Sequence, residues 1–135
     1  MKTIVKNGML CTESGVYEAD ILIENGVIRE IGTGLAEHES KLGSADAEIE
    51  IVDASGKYVL PGAVDIHTHM DLDLGIARVI DDFYTGTIAA ACGGTTSIVD
   101  HMAFGPKDCS LWHQVREYHK LADGNAVVDY GFHGV

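Results

Sequence analysis

The sequence has 135 residues, of which 46% are hydrophobic and 22% are charged, the composition of an ordinary globular protein. Its net charge of −12 disfavours nucleic acid and anionic membranes as partners, because both are negatively charged. The three cysteines lack CxxC spacing, which argues against a disulfide framework. Since the sequence shows no apolar leader and no membrane-spanning stretch, we expect a cytoplasmic protein.

The first part of the chain predicts short strands joined by tight turns. The clearest signal is a hairpin around Asn25-Gly26, because these residue types tolerate the positive φ angles of a type I′ turn. A strand is also predicted over residues 3–6, closing at Asn7-Gly8. Residues 35–47 lack an apolar period and predict a loop, whereas the alternation over residues 48–52 predicts a further strand.

From Pro61 onwards the pattern changes to strands that alternate with helices. Continuous apolar character predicts a buried strand over residues 63–66, and β-branched residues predict a second strand over residues 95–99. A third strand is predicted over residues 126–132. Such strands pair in parallel, and their carboxyl ends share one edge, where α/β proteins place functional groups. The pattern alone leaves both a barrel and an open sheet possible.

Two helices are predicted between these strands. The first begins after an N-cap at Asp81 or Asp82, and the second begins after a cap at Asp108 or Ser110 and ends near Gly124. Each helix has apolar residues at helical spacing, which predict its buried face. In the first helix these residues are Tyr84, Ile88 and Ala91. In the second helix they are Leu111, Val115, Tyr118 and Ala122.

Asp65, His67 and His69 alternate at the end of the first of these strands. Side chains at i and i+2 of a strand point to the same face, so both imidazoles would converge on one spot. Two neutral imidazoles suit a transition metal such as zinc, and Asp65 would orient a ligand or polarise a bound water. A pair of histidines that merely form hydrogen bonds is the plainer alternative, but this motif at a strand end favours a metal.

Two more groups are predicted at the same edge of the sheet. Asp100 and His101 end the second strand, where hydrogen bonding to the site and simple capping of the strand end are both open. His133 ends the third strand, and we interpret it as a hydrogen-bonded core histidine. The recurrence of such residues at equivalent strand ends adds to the case for a metal.

Several segments resemble known enzymes. The stretch Val-Leu-Pro-Gly-Ala-Val-Asp-Ile-His-Thr-His-Met-Asp over residues 59–71 looks like the opening metal motif of the cyclic amidohydrolases. Other segments resemble the hydantoinase and dihydropyrimidinase family, in particular its D-phenylhydantoinase-type members. These segments are residues 75–78, 81–87, 89–96, 100–106 and 132–135.

The resemblance implies an α/β fold, a (β/α)8 TIM barrel with a β-sandwich side domain. Residues 1–60 would begin the side domain, and residues 61–135 would supply the first three strands and two helices of the incomplete barrel. The resemblance also implies two divalent metal ions, zinc or else manganese, with His67 and His69 as ligands. A bridging carbamylated lysine, two more histidines and an aspartate would follow Val135, so we expect the N-terminal part of a larger enzyme, inactive by itself.

The implied activity is hydrolysis of a small cyclic amide, opening 5-substituted hydantoins or dihydropyrimidines to N-carbamoyl amino acids, by a homotetramer. Asp71 stands where dihydroorotases have an arginine for the substrate carboxylate, which favours an uncharged ring. Apolar residues of the same loop would form a wall for the ring substituent, unless they only pack the loop. They are Met70, Leu72, Leu74 and Ile76. A non-catalytic dihydropyrimidinase-like assembly protein, or another cyclic amidohydrolase such as an allantoinase, stays open as an alternative.

Overall fold

The computed structural model describes residues 1–42 and 49–134, so the end of the predicted loop and the first residue of the strand predicted over 48–52 lie outside the described residues. The chain forms two compact units, Met1–Pro61 and Gly62–Val135. Within the described ranges, none of the helices combines the length and the apolar character needed to cross a membrane.

The first unit is a five-stranded mixed sheet. Its strands are β1 (Lys2–Thr12), β2 (Gly15–Glu24), β3 (Val27–Gly32), β4 (Ile49–Asp53) and β5 (Tyr58–Val59). β1 is central and pairs antiparallel with β2 and parallel with β4 and β5. The predicted hairpin is confirmed, because β2 and β3 pair antiparallel across Asn25 and Gly26, whose φ angles are 52° and 78°.

The prediction that the first strand closes at Asn7-Gly8 is wrong. β1 continues to Thr12, and its pairing with β2 shifts register at this point, as in a β-bulge. Asn7 takes a left-handed φ of 61°, and its backbone N–H donates to the Asp20 carboxylate at 3.0 Å. The Asn-Gly pair thus marks a bulge inside a long strand and does not end it.

The prediction of a loop over residues 35–47 is wrong in its first part, where helix α1 (Leu35–Leu42) forms. Leu35 is buried against Ile4 and Leu22 of the sheet. Its backbone N–H donates to the Asp20 carboxylate at 3.1 Å, which satisfies one of the free donors at the helix start. This contact joins residues distant in sequence, so local periodicity could not reveal it.

The second unit is a parallel three-stranded sheet with helical crossovers, as the alternation predicts. Its strands lie in the order β6 (Ala63–Thr68), β7 (Thr95–His101), β8 (Asp129–His133). The crossover helices are α2 (Phe83–Cys92) and α3 (Leu111–Ala122). β8 begins three residues later than predicted, but the carboxyl ends of all three strands do meet at one edge.

The predicted burial of the strand over residues 63–66 is wrong. Among the described residues β6 lies at the edge of its sheet next to β7, and most of its side chains are exposed. Val64 is 59% exposed and Ile66 is 70% exposed. The described residues therefore leave apolar side chains of this strand uncovered.

Helix α2 begins as predicted but buries a different face. The Asp82 carboxylate accepts the Thr85 backbone N–H at 2.7 Å and caps the helix. The predicted stripe of Tyr84, Ile88 and Ala91 is exposed. The buried residues are instead Phe83, Gly86 and Thr87. Two of these three are not apolar, which is why hydrophobic spacing selected the wrong face.

Helix α3 follows the prediction more closely. Tyr118 and Ala122 are buried, whereas Leu111 at the first position is 57% exposed. Ser110 occupies the N-cap position without a capping hydrogen bond from its side chain. Phe83 of α2 and the buried residues of α3 join one cluster of aromatic and aliphatic side chains with Ile98 of β7. Its buried members are Phe83, Ile98, Met102, Tyr118 and Ala122.

Replacement of Thr87 by valine is expected to lower the free energy of unfolding by about 1–3 kcal/mol. Thr87 is fully buried, its hydroxyl donates to the Phe83 carbonyl, and it accepts the Val127 N–H at 3.0 Å. Valine keeps the shape but leaves that N–H without an acceptor. Urea denaturation of the full-length protein measures the effect, with Thr96→Val on the exposed face of β7 as control. Equal losses in the two variants would contradict the assignment.

Candidate metal centre

The end of strand β6 brings His67 and His69 together. Their ring centres are 5.2 Å apart and the ring planes are inclined by 73°. His67 is the penultimate residue of β6, and His69 follows its last residue. The Asp65 carboxylate accepts the backbone N–H of His67 at 3.1 Å. This hydrogen bond from the backbone of His67 to Asp65 therefore restrains the chain at the first histidine.

The spacing of the two rings fits ligands of one metal ion. With a Zn–N bond of about 2.0–2.1 Å, the ion lies about 3.2 Å from a ring centre, and two rings on a tetrahedral ion have centres about 5 Å apart. The observed separation of 5.2 Å and the inclined planes match this arrangement. The ring spacing thus meets the requirement for two nitrogen donors to one zinc ion.

The described residues do not complete such a site. Within residues 1–42 and 49–134, no group of three or more His, Cys, Asp or Glu side chains is placed to hold a metal ion. Structural and catalytic zinc sites take three or four protein ligands. The two histidines alone would therefore hold a metal weakly, and the further ligands implied by the resemblance stay a prediction.

His101 and His133 extend the cluster into a row of rings. The ring of His101 lies parallel to that of His67, with centres 3.9 Å apart and planes 13° apart. His133 pairs with His101 in the register of β7 and β8, and its ring stacks on His101 at 4.5 Å. The interpretation of His133 as a core histidine is wrong, because the residue is exposed.

The parallel rings cannot share one ion, because an imidazole nitrogen donates in the plane of its ring. The ring of His69 lies edge-on to that of His101, with centres 5.6 Å apart. His67 and His101 therefore each have a ring spacing that would allow one ion to be shared with His69, but both cannot share it at once. The resemblance assigns that role to His67. Burial and the neighbouring His67 and His133 lower the pKa of His101, which favours its neutral form in the stack.

Asp100 lies next to His101 on β7 but is fully buried. One of its oxygens, Oδ1, accepts the Thr68 hydroxyl and the Met70 backbone N–H, both at 2.8 Å. Within the described residues Oδ2 has no hydrogen-bond partner. Burial raises the pKa of this carboxyl, and the two hydrogen bonds oppose that rise. The sequence offered no way to choose between this arrangement and a simple strand cap.

The loop after His69 is folded differently from the predicted pocket wall. Met70 packs against the core around Phe83. Leu74 is 60% exposed and Ile76 is 96% exposed, while Leu72 is half-buried. The structure therefore does not bring these four side chains together, and Met70 in particular belongs to the core.

Asp71 also has a structural role that the sequence did not indicate. Its carboxylate accepts the Phe83 backbone N–H at 3.2 Å, at the start of α2. Its other oxygen pairs with the Arg78 guanidinium at 3.1 Å, and the side chain of Asp71 is only 9% exposed. A carboxylate engaged in this way is poorly placed to repel a ligand directly.

Comparison with known proteins gives matches over the whole chain. D-phenylhydantoinase from Escherichia coli O1:K1 is 50% identical over 135 residues, and that from Escherichia coli O139:H28 is 49% identical. A crystal structure of D-hydantoinase superposes on 99% of the chain with a TM-score of 0.85 and 44% identity. The dihydropyrimidinase from Brevibacillus agri NCHU1002 superposes with a TM-score of 0.84 and 42% identity. No protein-family model matches the sequence.

The relatives named above are hydantoinases and a dihydropyrimidinase. The chain is similar in sequence and in fold to part of these enzymes. It spans 28% of the length of the Escherichia coli relatives and 27% of the solved D-hydantoinase chain. The resemblance stated from the motifs is thus confirmed.

Proposed function

We propose that the chain forms part of a metal-dependent hydrolase that opens 5-substituted hydantoins or dihydropyrimidines to N-carbamoyl amino acids. The observation that carries this proposal is the 50% identity to D-phenylhydantoinase over all 135 residues. That identity is accompanied by two imidazoles at a spacing that suits one metal ion. The fold shared with a solved D-hydantoinase and a solved dihydropyrimidinase supports the same reaction class.

We propose a (β/α)8 barrel as the setting of the site. The parallel order of β6, β7 and β8, with α2 and α3 as crossovers, is how such a barrel begins. The histidines lie at the carboxyl ends of these strands, where barrels of this kind carry their active sites. The apolar side chains left open on β6 would then face the remaining strands.

We propose two divalent ions, zinc or else manganese, with His67 and His69 as ligands of one of them. When bound, zinc supplies a Lewis acid that polarises a carbonyl for attack by water. His67 and His69 donate to the ion as neutral imidazoles, and Asp65 fixes the backbone of His67 through its carboxylate. The bridging carbamylated lysine, the two further histidines and the aspartate would come from residues other than those described.

The proposed substrate is a small uncharged ring. The names of the relatives support this choice. Asp71 contributes less than the sequence suggested, because its carboxylate accepts the Phe83 N–H at the start of α2 and pairs with Arg78. The aromatic or alkyl substituent of the hydantoin ring would need an apolar wall, for which the exposed Leu74 and Ile76 are the candidates in this loop. Assembly as a homotetramer is also proposed, by analogy with the family.

The full-length protein is expected to open the rings of 5-phenylhydantoin and dihydrouracil, each monitored by the loss of ring absorbance. Removal of metal by a chelator should abolish both activities, and added zinc should restore them. Dihydroorotate and allantoin serve as comparison substrates. Ring opening of allantoin alone would contradict the proposed substrate class. Metal binding without hydrolysis of any of the four rings would instead favour the non-catalytic assembly protein.

A further inference from the structure

The segment around His69 is not fixed by regular strand pairing. The register between β6 and β7 shifts once between Ala63 and Val64 and again between Asp65 and Thr68, which pairs with Asp100. His69 itself lies beyond the last residue of β6. A ligand placed on such a segment needs another restraint, because a loose ligand costs a metal site much of its affinity.

Asp100 supplies hydrogen bonds on both sides of that histidine. Its Oδ1 accepts the side-chain hydroxyl of Thr68 and the backbone N–H of Met70, each at 2.8 Å. These are the two residues that flank His69 in the chain. One buried carboxylate oxygen thus holds the Thr68 side chain before the imidazole and the Met70 backbone after it.

The cost of this arrangement indicates that it serves a purpose. Asp100 is fully buried, and within the described residues its Oδ2 has no hydrogen-bond partner. An unpaired polar atom in the interior is unfavourable, and native proteins retain few of them. By contrast, the Asp82 carboxylate of the same unit also accepts two hydrogen bonds, but it does so at the exposed start of α2 and far in sequence from both histidines.

We infer that Asp100 is a positioning residue that holds the Thr68–Met70 segment so that the imidazole of His69 faces the metal. This inference rests on the proposed function. The Asp100 carboxylate touches neither the ion nor the substrate in this account. It acts through the hydrogen bonds to Thr68 and Met70, and the neighbouring His101 acts separately by stacking on His67.

The test compares variants of the full-length protein by their affinity for zinc, measured by competition with a coloured chelator. Asp100→Leu removes the oxygen that accepts both hydrogen bonds. This variant is expected to weaken zinc binding by about 10–100-fold. Asp100→Asn keeps an acceptor for both donors and should recover most of that loss. Thr68→Val removes one of the two hydrogen bonds and should fall between them. The absorption spectrum of the cobalt-substituted protein should change in the same order, because it reports ligand geometry.

Asp82→Leu is the matched control, since it removes a carboxylate with two hydrogen bonds and should leave zinc affinity and the cobalt spectrum unchanged. If Asp100→Leu does not fold, Thr68→Val decides alone. Wild-type zinc affinity and an unaltered cobalt spectrum in the Asp100 and Thr68 variants would overturn the inference while leaving the proposed function intact. Failure of the wild-type protein to bind either zinc or manganese would overturn both.

Discussion

Replacement of His67 by alanine in the full-length protein should remove bound metal and abolish hydrolysis of 5-phenylhydantoin. In the proposed site His67 and His69 are the two nitrogen donors, and their ring centres are 5.2 Å apart. Removal of a residue that hydrogen-bonds to a metal ligand lowers metal affinity or activity about 10–100-fold. Removal of a ligand itself should lower them further. Metal analysis of the dialysed protein, together with the rate of ring opening, measures both effects.

The sharpest control for that variant is His101→Phe, because it keeps an aromatic ring beside His67 and removes only the nitrogen atoms. His101 stacks on His67 with centres 3.9 Å apart, and in this account it packs against the ligand without binding the ion. The phenylalanine variant should therefore keep its metal. If His101→Phe lost its metal and His67→Ala retained it, His101 and not His67 would be the ligand. That result would refute the ligand assignment.

The elements predicted correctly are those whose signals are local. The hairpin at Asn25-Gly26 follows from two residue types that tolerate positive φ angles, and the Asp82 cap follows from a carboxylate before a helical segment. Both features depend on residues within a few positions of each other. The sequence therefore carried enough information to place them.

The elements missed depend on contacts between distant residues. Helix α1 begins where the Asp20 carboxylate accepts the Leu35 N–H, fifteen positions along the chain. The same carboxylate accepts the Asn7 N–H at the bulge in β1. On α2 the buried face includes Thr87, whose hydroxyl is satisfied by Phe83 and Val127, so polarity misled the choice of face. No periodicity in the sequence encodes these partners.

The proximity of His67 and His69 was predictable from the sequence, whereas the contacts around them were not. The i, i+2 spacing of His67 and His69 is sufficient to bring two imidazoles together at a strand end. The row of His101 and His133 depends on the register between β7 and β8, which pairs these two residues directly. Their shared position at strand ends was the available signal. The hydrogen bonds of Asp100 depend on an irregular register that only the structure reveals.

Replacement of Phe83 by alanine is expected to lower the free energy of unfolding by about 3–5 kcal/mol. Phe83 is fully buried, and its ring centre lies 6.4 Å from Tyr118, 6.2 Å from Tyr130 and 6.3 Å from Phe132. Alanine removes apolar surface from this cluster and leaves a cavity that α2, α3 and β8 cannot all close. Denaturation by guanidinium chloride, followed by circular dichroism, measures the change in the full-length protein.

Tyr84→Ala is the control for this prediction, because it truncates the next aromatic residue of the same helix at a position that is 53% exposed. It should change the free energy of unfolding by only about 0.5 kcal/mol, as surface substitutions do. Sequence spacing alone would predict the opposite order, since it placed Tyr84 on the buried face. A larger loss for Tyr84→Ala than for Phe83→Ala would therefore show that α2 packs through the stripe of Tyr84, Ile88 and Ala91 after all.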